Sequence, residues 1–321
     1  MCTAVNAHGL FGRTLDIEGS FGESVIVTPR AFPFDFRHEG TLCPHLAILG
    51  MASVRGGVPL YFDAVNEAGL CMAALKFPEN AVYHEPCESK YNVASFELIW
   101  WVLGKCRSLT QARELLLKTN VTSDDFSEDT RSSPLHFIIA DGEAAIVAES
   151  VADGFKIYED PLGVLTNNPP FCYHLERVCD FMHMSSHYPE NMLCPNAPLK
   201  AYSGGMGAIG LPGDFSSSSR FVRAVFAKNH TVFEGGQSER VSAFFQVLDT
   251  VSVPKGCEKN SVGGSLYTLY TSCIDVSSRT YFFTTYENRR VRALSFDAVD
   301  LNVGTLVCRD ISGGEDVKYL R

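Results

Sequence analysis

Short apolar runs broken by glycine and charge dominate the first thirty positions. "CTAVNA", "RTLDI" and "SVIVTPR" predict strands, with a turn at "HGLFG" between the first two. "LAILGMASV" is a mostly apolar run of strand length, and "VPLYFDAVNEAGLCMAALKFP" reads as a hairpin turning at Asn66 to Gly69. The period then lengthens. "SFELIWWVLGKC" and "LTQARELLLKT" have helical spacing, and Ser108 or Thr110 is a plausible N-cap for the second. Strands resume with "LHFIIAD", "AAIVAES", "GFKIYE" and "GVLTNN", and a helix follows from Pro169-Pro170 through "FCYHLERVCDFMH". Residues 185–216 are rich in Ser, Gly and Pro and predict a long surface excursion. Two helices start near Ser217 and Ser238, and "LYTSCIDV", "RTYFFTTYE" and "VRALSF" end the pattern as strands.

The order is therefore strands, helices, strands, helices, strands, with no internal repeat and no clean linker. Antiparallel hairpins separated by helical pairs predict an α+β fold, a four-layer αββα sandwich of two antiparallel sheets. One domain over residues 2–321 is expected, with Met1 removed. In such a layout the first strand is central and its terminal residue opens into a cleft between the sheets.

Composition narrows the function. With 45% apolar and 20% charged residues, the 321-residue chain has ample material for a core. Its net charge of -10 and the lack of a basic run argue against nucleic acid as a partner. Any anion it binds must meet locally placed Arg or Lys. No apolar stretch reaches the length of a membrane span, and the N-terminus lacks a signal-peptide pattern, so no membrane insertion and a cytoplasmic location are expected. Eleven cysteines at irregular spacing then read as free, mostly buried thiols, and the sequons at Asn120 and Asn229 as chance matches.

Three motifs compete for attention. "GMGAIG" at Gly205 to Gly210 matches G-x-G-x-x-G, yet no strand precedes it and Pro212-Gly213 follows where a helix should begin, so it reads as a loop. Cys179, His183, His187 and Cys194 have a zinc-like composition without a zinc-site spacing. The tetraserine at Ser216 to Ser219 reads as the N-cap of a helix beginning around Arg220.

Cys2 carries more chemistry. A small second residue allows removal of Met1, which exposes a thiol and a free α-amine on one residue, with no propeptide expected ahead of it. A thiol with an ordinary pKa of about 8.5 is mostly protonated at neutral pH, and an α-amine near 8 can act as its base. A nearby cation would favour the thiolate and a carboxylate would hold the amine. Arg13 and Asp16 in "GRTLD" supply both, but three residues apart on an ideal strand they face opposite ways, so a bulge is expected to turn both toward Cys2.

"MCTAV", "FGRTLDIEGSFGESVIVTPRAFPF", "NEAGLCMAALKFP", "SFELIWWVLGKCRSL", "GVLTNNPPF", "IGLPGDFSSSSRFVRA", "LYTSCID" and "YFFTTYENRRV" occur in order over nearly the whole chain. In these motifs the chain resembles the choloylglycine hydrolase family, the bile salt hydrolases and penicillin V acylases among the N-terminal nucleophile hydrolases. The resemblance implies Cys2 as nucleophile, Arg13 near the thiol, Asp16 on the α-amine, Asn167 as side-chain oxyanion donor and Arg220 as organiser of the centre. Where bile salt hydrolases usually carry Asn in a "GLNFP"-type segment, this chain has Lys76 in "ALKFP". The family uses that residue's backbone N–H as the second oxyanion donor, which survives the change, while its side chain helps line the cleft.

The activity so implied is hydrolysis of glycine- or taurine-conjugated bile salts through an acyl-thioester, with no metal or organic cofactor. Penicillin V or a long-chain N-acyl amide such as an acyl-homoserine lactone are the alternatives, as are acyl transfer to another amine and a retired, ligand-binding member. The resemblance also implies a homotetramer. An amphipathic sterol needs apolar walls, for which Phe21, Phe62, Phe126 and Phe137 are the candidates.

Overall fold

The computed structural model describes residues 1–320. Its first sheet has seven strands. Six run edge to edge as Val164–Leu165, Cys2–Ala7, Leu10–Ile17, Ser265–Asp275, Thr280–Thr285 and Arg292–Ser295, and Glu258–Lys259 pairs outside that path with Ser265–Asp275. The second sheet has eight strands, in the order Gly154–Glu159, Ala145–Val151, Leu135–Ala140, Cys71–Lys76, Val58–Asn66, Ile48–Arg55, Glu23–Thr28 and Val307–Asp310. All pairings within both sheets are antiparallel.

Five helices complete the layers: α1 (Leu98–Lys105), α2 (Leu109–Leu117), α3 (Phe171–Arg177), α4 (Ser217–His230) and α5 (Gln237–Asp249). α4 and α5 pack on the first sheet, α1 and α2 on the second, and Cys2–Ala7 and Leu10–Ile17 meet Cys71–Lys76 across the middle. This is the αββα sandwich that the strand and helix order predicts.

Burial follows from that layering. Strands Cys2–Ala7 and Leu10–Ile17 are buried at every position, because one face meets the second sheet and the other meets α4 and α5. They pair residue for residue, Cys2 opposite Leu15 and Ala7 opposite Leu10, around a two-residue turn in which His8 and Gly9 both have positive φ, 53° and 75°. That is the type I′ geometry that matches strand twist. Gly12 is required by the neighbouring strand, since a Cβ there would lie 2.0 Å from the Ser272 carbonyl. On the other side, α1 is buried all round except at its last residue. Its Trp100 donates to the Pro59 carbonyl (2.8 Å) and its Trp101 to Thr119 Oγ1 (3.1 Å), so neither indole N–H is left unpaired in the core.

Several expectations change. "GVLTNN" yields only Val164–Leu165 as strand, because the next carbonyls are taken by buried histidine side chains instead of a neighbouring strand. Short pairs at Phe34–Phe36 with Gly40–Leu42 and Tyr91–Ala94 with Thr119–Thr122, and the edge strand Val307–Asp310, carry no clear pattern of their own. The thiols are unpaired, but Cys43, Cys172, Cys179, Cys194, Cys257 and Cys308 are exposed, so most are not buried.

Candidate active site

Cys2 ends the second strand of the first sheet and is 1% exposed. Its side chain opens into a cleft of about 430 Å³ between the sheets, with Arg13 and Leu15 beside it and Ala74 and Lys76 opposite. Phe21, Phe62 and Phe126 line this cleft as expected. Phe137 does not; it is 2% exposed in the core between the second sheet and α1 and α2, because its strand position points to the opposite face.

Arg13 is fully buried and spans the two sheets. Its Nη1 donates to the carbonyls of Phe62 and Ala74, and its Nε to the Thr14 carbonyl. Burial alone would lower its pKa; Cys2, Tyr270, Asp63 and Asp16 outweigh that and hold it above its ordinary range. A permanent cation therefore lies beside the thiol, the setting that favours thiolate. Its Nη2 has no protein partner. Asp63, fully buried, accepts from the hydroxyls of Tyr270, Ser272 (2.8 Å) and Tyr281 (2.8 Å). Burial pushes its carboxyl up, against the pull of Arg13 and these three donors.

Asp16 lies on the other face of the same strand, with Thr14, and its carboxylate accepts from Thr14 Oγ1 (3.1 Å) and Thr268 Oγ1 (2.6 Å). The expected bulge exists, but on the neighbouring strand: Thr268 pairs with Asp16 and Tyr270 with Leu15, leaving Leu269 extra. It does not bring Arg13 and Asp16 to one face. With Met1 in place, its backbone pairs with that of Asp16, whose N–H donates to the Met1 carbonyl (2.8 Å).

The α-nitrogen of Cys2 is then an amide whose single hydrogen goes to Asn167 Oδ1 (2.8 Å). Asn167 Oδ1 also accepts from Arg220 Nη2 (2.8 Å), and Asn167 Nδ2 donates to the Lys76 carbonyl (2.7 Å), leaving a second Nδ2 hydrogen. Arg220, at 0% exposure on α4, donates through Nη1 to the Cys2 carbonyl and to Thr3 Oγ1, each 2.6 Å. Cys2, Arg13, Asn167, Arg220 and the Lys76 backbone thus converge, with Asp16 at the amine end.

Ser217, Asp214 and Glu258 are among the residues whose roles here the sequence reading did not assign. α4 starts at Ser217, as its periodicity predicts rather than at Arg220, and Ser217 Oγ accepts from the Asn167 N–H (2.8 Å) while donating to Thr166 Oγ1. Ser216, within the tetraserine, is the N-cap of α4 as expected, and Asp214 holds it by accepting from the Ser216 N–H and Ser219 Oγ. Glu258 stands near Arg220, Asp16 and the chain terminus with one buried, unpartnered oxygen; burial raises its carboxyl, and the nearby cations oppose this.

Lys76 is exposed at the cleft, as is Arg131, and neither has a carboxylate partner among the described residues; Arg55 also lines the cleft, against one acid, Asp129. The other motifs stay apart from it. Gly205 precedes one 3₁₀ turn, Met206–Ala208, with no strand before it. The chain around Cys179 is 3₁₀ rather than α-helical and His187 lies beyond it, so a helical face does not unite the zinc-like residues. Among the described residues no group of three or more His, Cys, Asp and Glu side chains is arranged to hold a metal.

A cysteine at the start of a central strand, opening between two antiparallel sheets with helices outside, defines an N-terminal nucleophile hydrolase. The model of the choloylglycine hydrolase family of linear amide C–N hydrolases matches residues 2–309, and the chain belongs to that family of enzymes. It is 41% identical over 310 residues to the bile salt hydrolase/transferase of Lactiplantibacillus plantarum, covering 96% of each chain. A mutant of the conjugated bile acid hydrolase from Clostridium perfringens superposes with a TM-score of 0.92 at 28% identity, over 100% of both chains. The penicillin V acylase from Agrobacterium tumefaciens shares the fold, with a TM-score of 0.78 at 19% identity over 98% of this chain and 94% of that one.

Proposed function

We propose that the enzyme hydrolyses the amide bond of glycine- or taurine-conjugated bile salts. The observation that carries this reading is the composition of the cleft: a thiol and a buried cation at its floor, Phe21, Phe62 and Phe126 on its walls, and Lys76, Arg55 and Arg131 against the single acid Asp129. An amphipathic sterol fits the walls, and an anionic leaving group fits the excess of cations in a chain that is otherwise acidic. The names of the relatives support the same substrate class. Penicillin V carries an anionic leaving group too, whereas an acyl-homoserine lactone carries none.

After loss of Met1 the α-amine of Cys2 gains hydrogens and a lone pair, and takes the thiol proton directly or through one water. Arg13 favours the thiolate, which attacks the amide carbonyl. The free hydrogen of Asn167 Nδ2 and the N–H of Lys76 stabilise the oxyanion, and Asp16 holds the α-ammonium, which protonates the departing amine. Water activated by the same amine then releases the acid from the thioester. An amine in place of water gives acyl transfer by the same route. Arg220 fixes Asn167 and the Cys2 carbonyl together.

The test is amine release from glycocholate, taurocholate and penicillin V, assayed in parallel with a Cys2→Ser variant. Faster release from the bile salts, lost in the variant, supports the proposal; a preference for penicillin V keeps the mechanism and overturns the substrate. Within the same proposal the enzyme is cytoplasmic and assembles as a homotetramer. Exposed Met192, Leu193 and Tyr202 on the excursion, at 81%, 93% and 85%, support burial by another copy. Sedimentation of the purified protein checks the assembly.

A further inference from the structure

Behind the oxyanion side of the cleft lies a pair of ionisable groups that the mechanism above does not use. His136 and Glu149 face each other on adjacent strands of the second sheet, both fully buried, with His136 Nδ1 3.0 Å from Glu149 Oε1. Neither lines the cleft. His136 Nε2–H donates to the Thr166 carbonyl (2.9 Å), and the Phe171 N–H donates to Glu149 Oε1 (3.0 Å). The pair therefore grips the segment 166–171 at both ends, and Asn167 lies inside it. The flat face of the same imidazole stacks on Phe77, with ring centroids 4.3 Å apart and planes within 6°. Phe77 follows Lys76, whose carbonyl receives Asn167 Nδ2. One side chain thus supports the segments carrying both oxyanion donors.

This arrangement is costly for a purely structural filler. The Thr166 carbonyl can only accept, so Nε2 must carry a proton. The hydrogen bond between Nδ1 and Glu149 Oε1 needs a second proton, held between the ring and the carboxyl. Glu149 Oε2 has no partner among the described residues. A buried pair with an orphaned oxygen is commonly no more stabilising than apolar side chains of similar volume. Its distinctive product is direction: hydrogen bonds fix the segment's backbone at two points, and apolar packing does not.

The geometry points to His136 and Glu149 as a positioning dyad that sets the two oxyanion donors, Asn167 Nδ2 and the Lys76 N–H, against the scissile carbonyl. The inference rests on the assignment of Asn167 as oxyanion donor. A displacement of about an ångström at such a donor costs roughly 10²-fold in rate, so the dyad acts on kcat and leaves the thiol's own reactivity intact.

The test uses Glu149→Gln, which keeps shape and removes the charge, and the double variant His136→Leu/Glu149→Met, which replaces the pair by apolar volume. Three quantities are read: kcat and KM on a conjugated bile salt, Tm, and the rate of Cys2 alkylation by iodoacetamide, followed by mass spectrometry of the N-terminal peptide. Alkylation forms no oxyanion. Expected are kcat values ten- to a hundredfold lower in both variants, KM within about threefold, and alkylation of Cys2 within about twofold of the parent. Folded variants with kcat within threefold of the parent overturn the dyad, as does a parallel fall of kcat and alkylation. If the double variant does not fold, Glu149→Gln alone decides. Asn167→Ala run alongside separates the two levels: a retained kcat there removes the oxyanion assignment and the dyad with it, whereas a lost kcat beside active dyad variants removes the dyad only.

Discussion

Asn167→Asp separates the two jobs this residue performs. Its Oδ1 accepts from the Cys2 nitrogen and from Arg220 Nη2, both at 2.8 Å, and its Nδ2 donates to the Lys76 carbonyl at 2.7 Å. Aspartate has nearly the same shape. It keeps both accepted bonds and strengthens the one to Arg220, because a hydrogen bond between charged groups contributes about 1.5–3 kcal/mol. The lost donor turns an oxygen toward the Lys76 carbonyl, and an unsatisfied buried group costs about 1–3 kcal/mol. The two effects offset, so stability stays within about 2 kcal/mol of the parent.

Catalysis has no such compensation. The hydrogen that would meet the oxyanion is gone, and loss of one such donor costs about 2.7–4 kcal/mol, a factor of roughly 10² to 10³ in kcat. The assay is initial-rate glycine release from glycocholate across a range of substrate concentrations, with Tm by calorimetry on the same preparation. A variant that keeps its Tm and loses about 10²-fold or more in kcat supports the reasoning. One that folds and turns over within tenfold of the parent refutes it, and the oxyanion would then belong to the Lys76 N–H alone.

Three further outcomes are expected. A chain with an uncleaved N-terminal extension, verified by intact mass, loses about 10² to 10⁴ in kcat, because the Cys2 nitrogen stays an amide with its one hydrogen on Asn167; turnover at the parent rate would remove the α-amine from the mechanism. Lys76→Gln raises KM for glycine and taurine conjugates by roughly two- to fivefold, the value of a solvent-screened ion pair of about 0.2–1 kcal/mol, and the difference shrinks in high salt; an unchanged KM at low ionic strength shows the ammonium facing away from the leaving group. His174 donates to the Asn167 carbonyl from a buried site, and burial holds its pKa down to about 4, from 6.5. The unfolded chain binds the extra proton first, so this residue's contribution is complete above pH 6.5 and falls by about 3 kcal/mol on acidification to pH 4. Denaturant titrations of the parent and His174→Gln across that range should differ by this slope, and parallel curves would show that His174 does not titrate low.

Arg13 and Asp16 show where sequence reasoning stops. Their identities and their neighbouring strand were legible from "GRTLD", and the alternation rule put them on opposite faces. The expectation of a bulge to reunite them assumed that a nucleophile and its base need partners on one side. The strand keeps its alternation instead, with Arg13 lining the cleft beside Cys2 and the Asp16 carboxylate held by Thr14 and Thr268 on the other face. Periodicity likewise placed the sheets and helices, because layers bury whole faces and whole faces leave a period. It misplaced Phe137, whose side of the strand depends on register, and overextended the strand at "GVLTNN", of which only Val164–Leu165 forms. It was silent on the roles of Ser217, His136, Glu149 and His174, which fix the 166–171 segment from four different elements. No local pattern announces such residues, since the reason for each lies 7 to 50 positions away. The residues assigned to the reaction came from short motifs at the ends of strands and helices. The residues proposed to aim them come from the core, and only the folded chain brings them together.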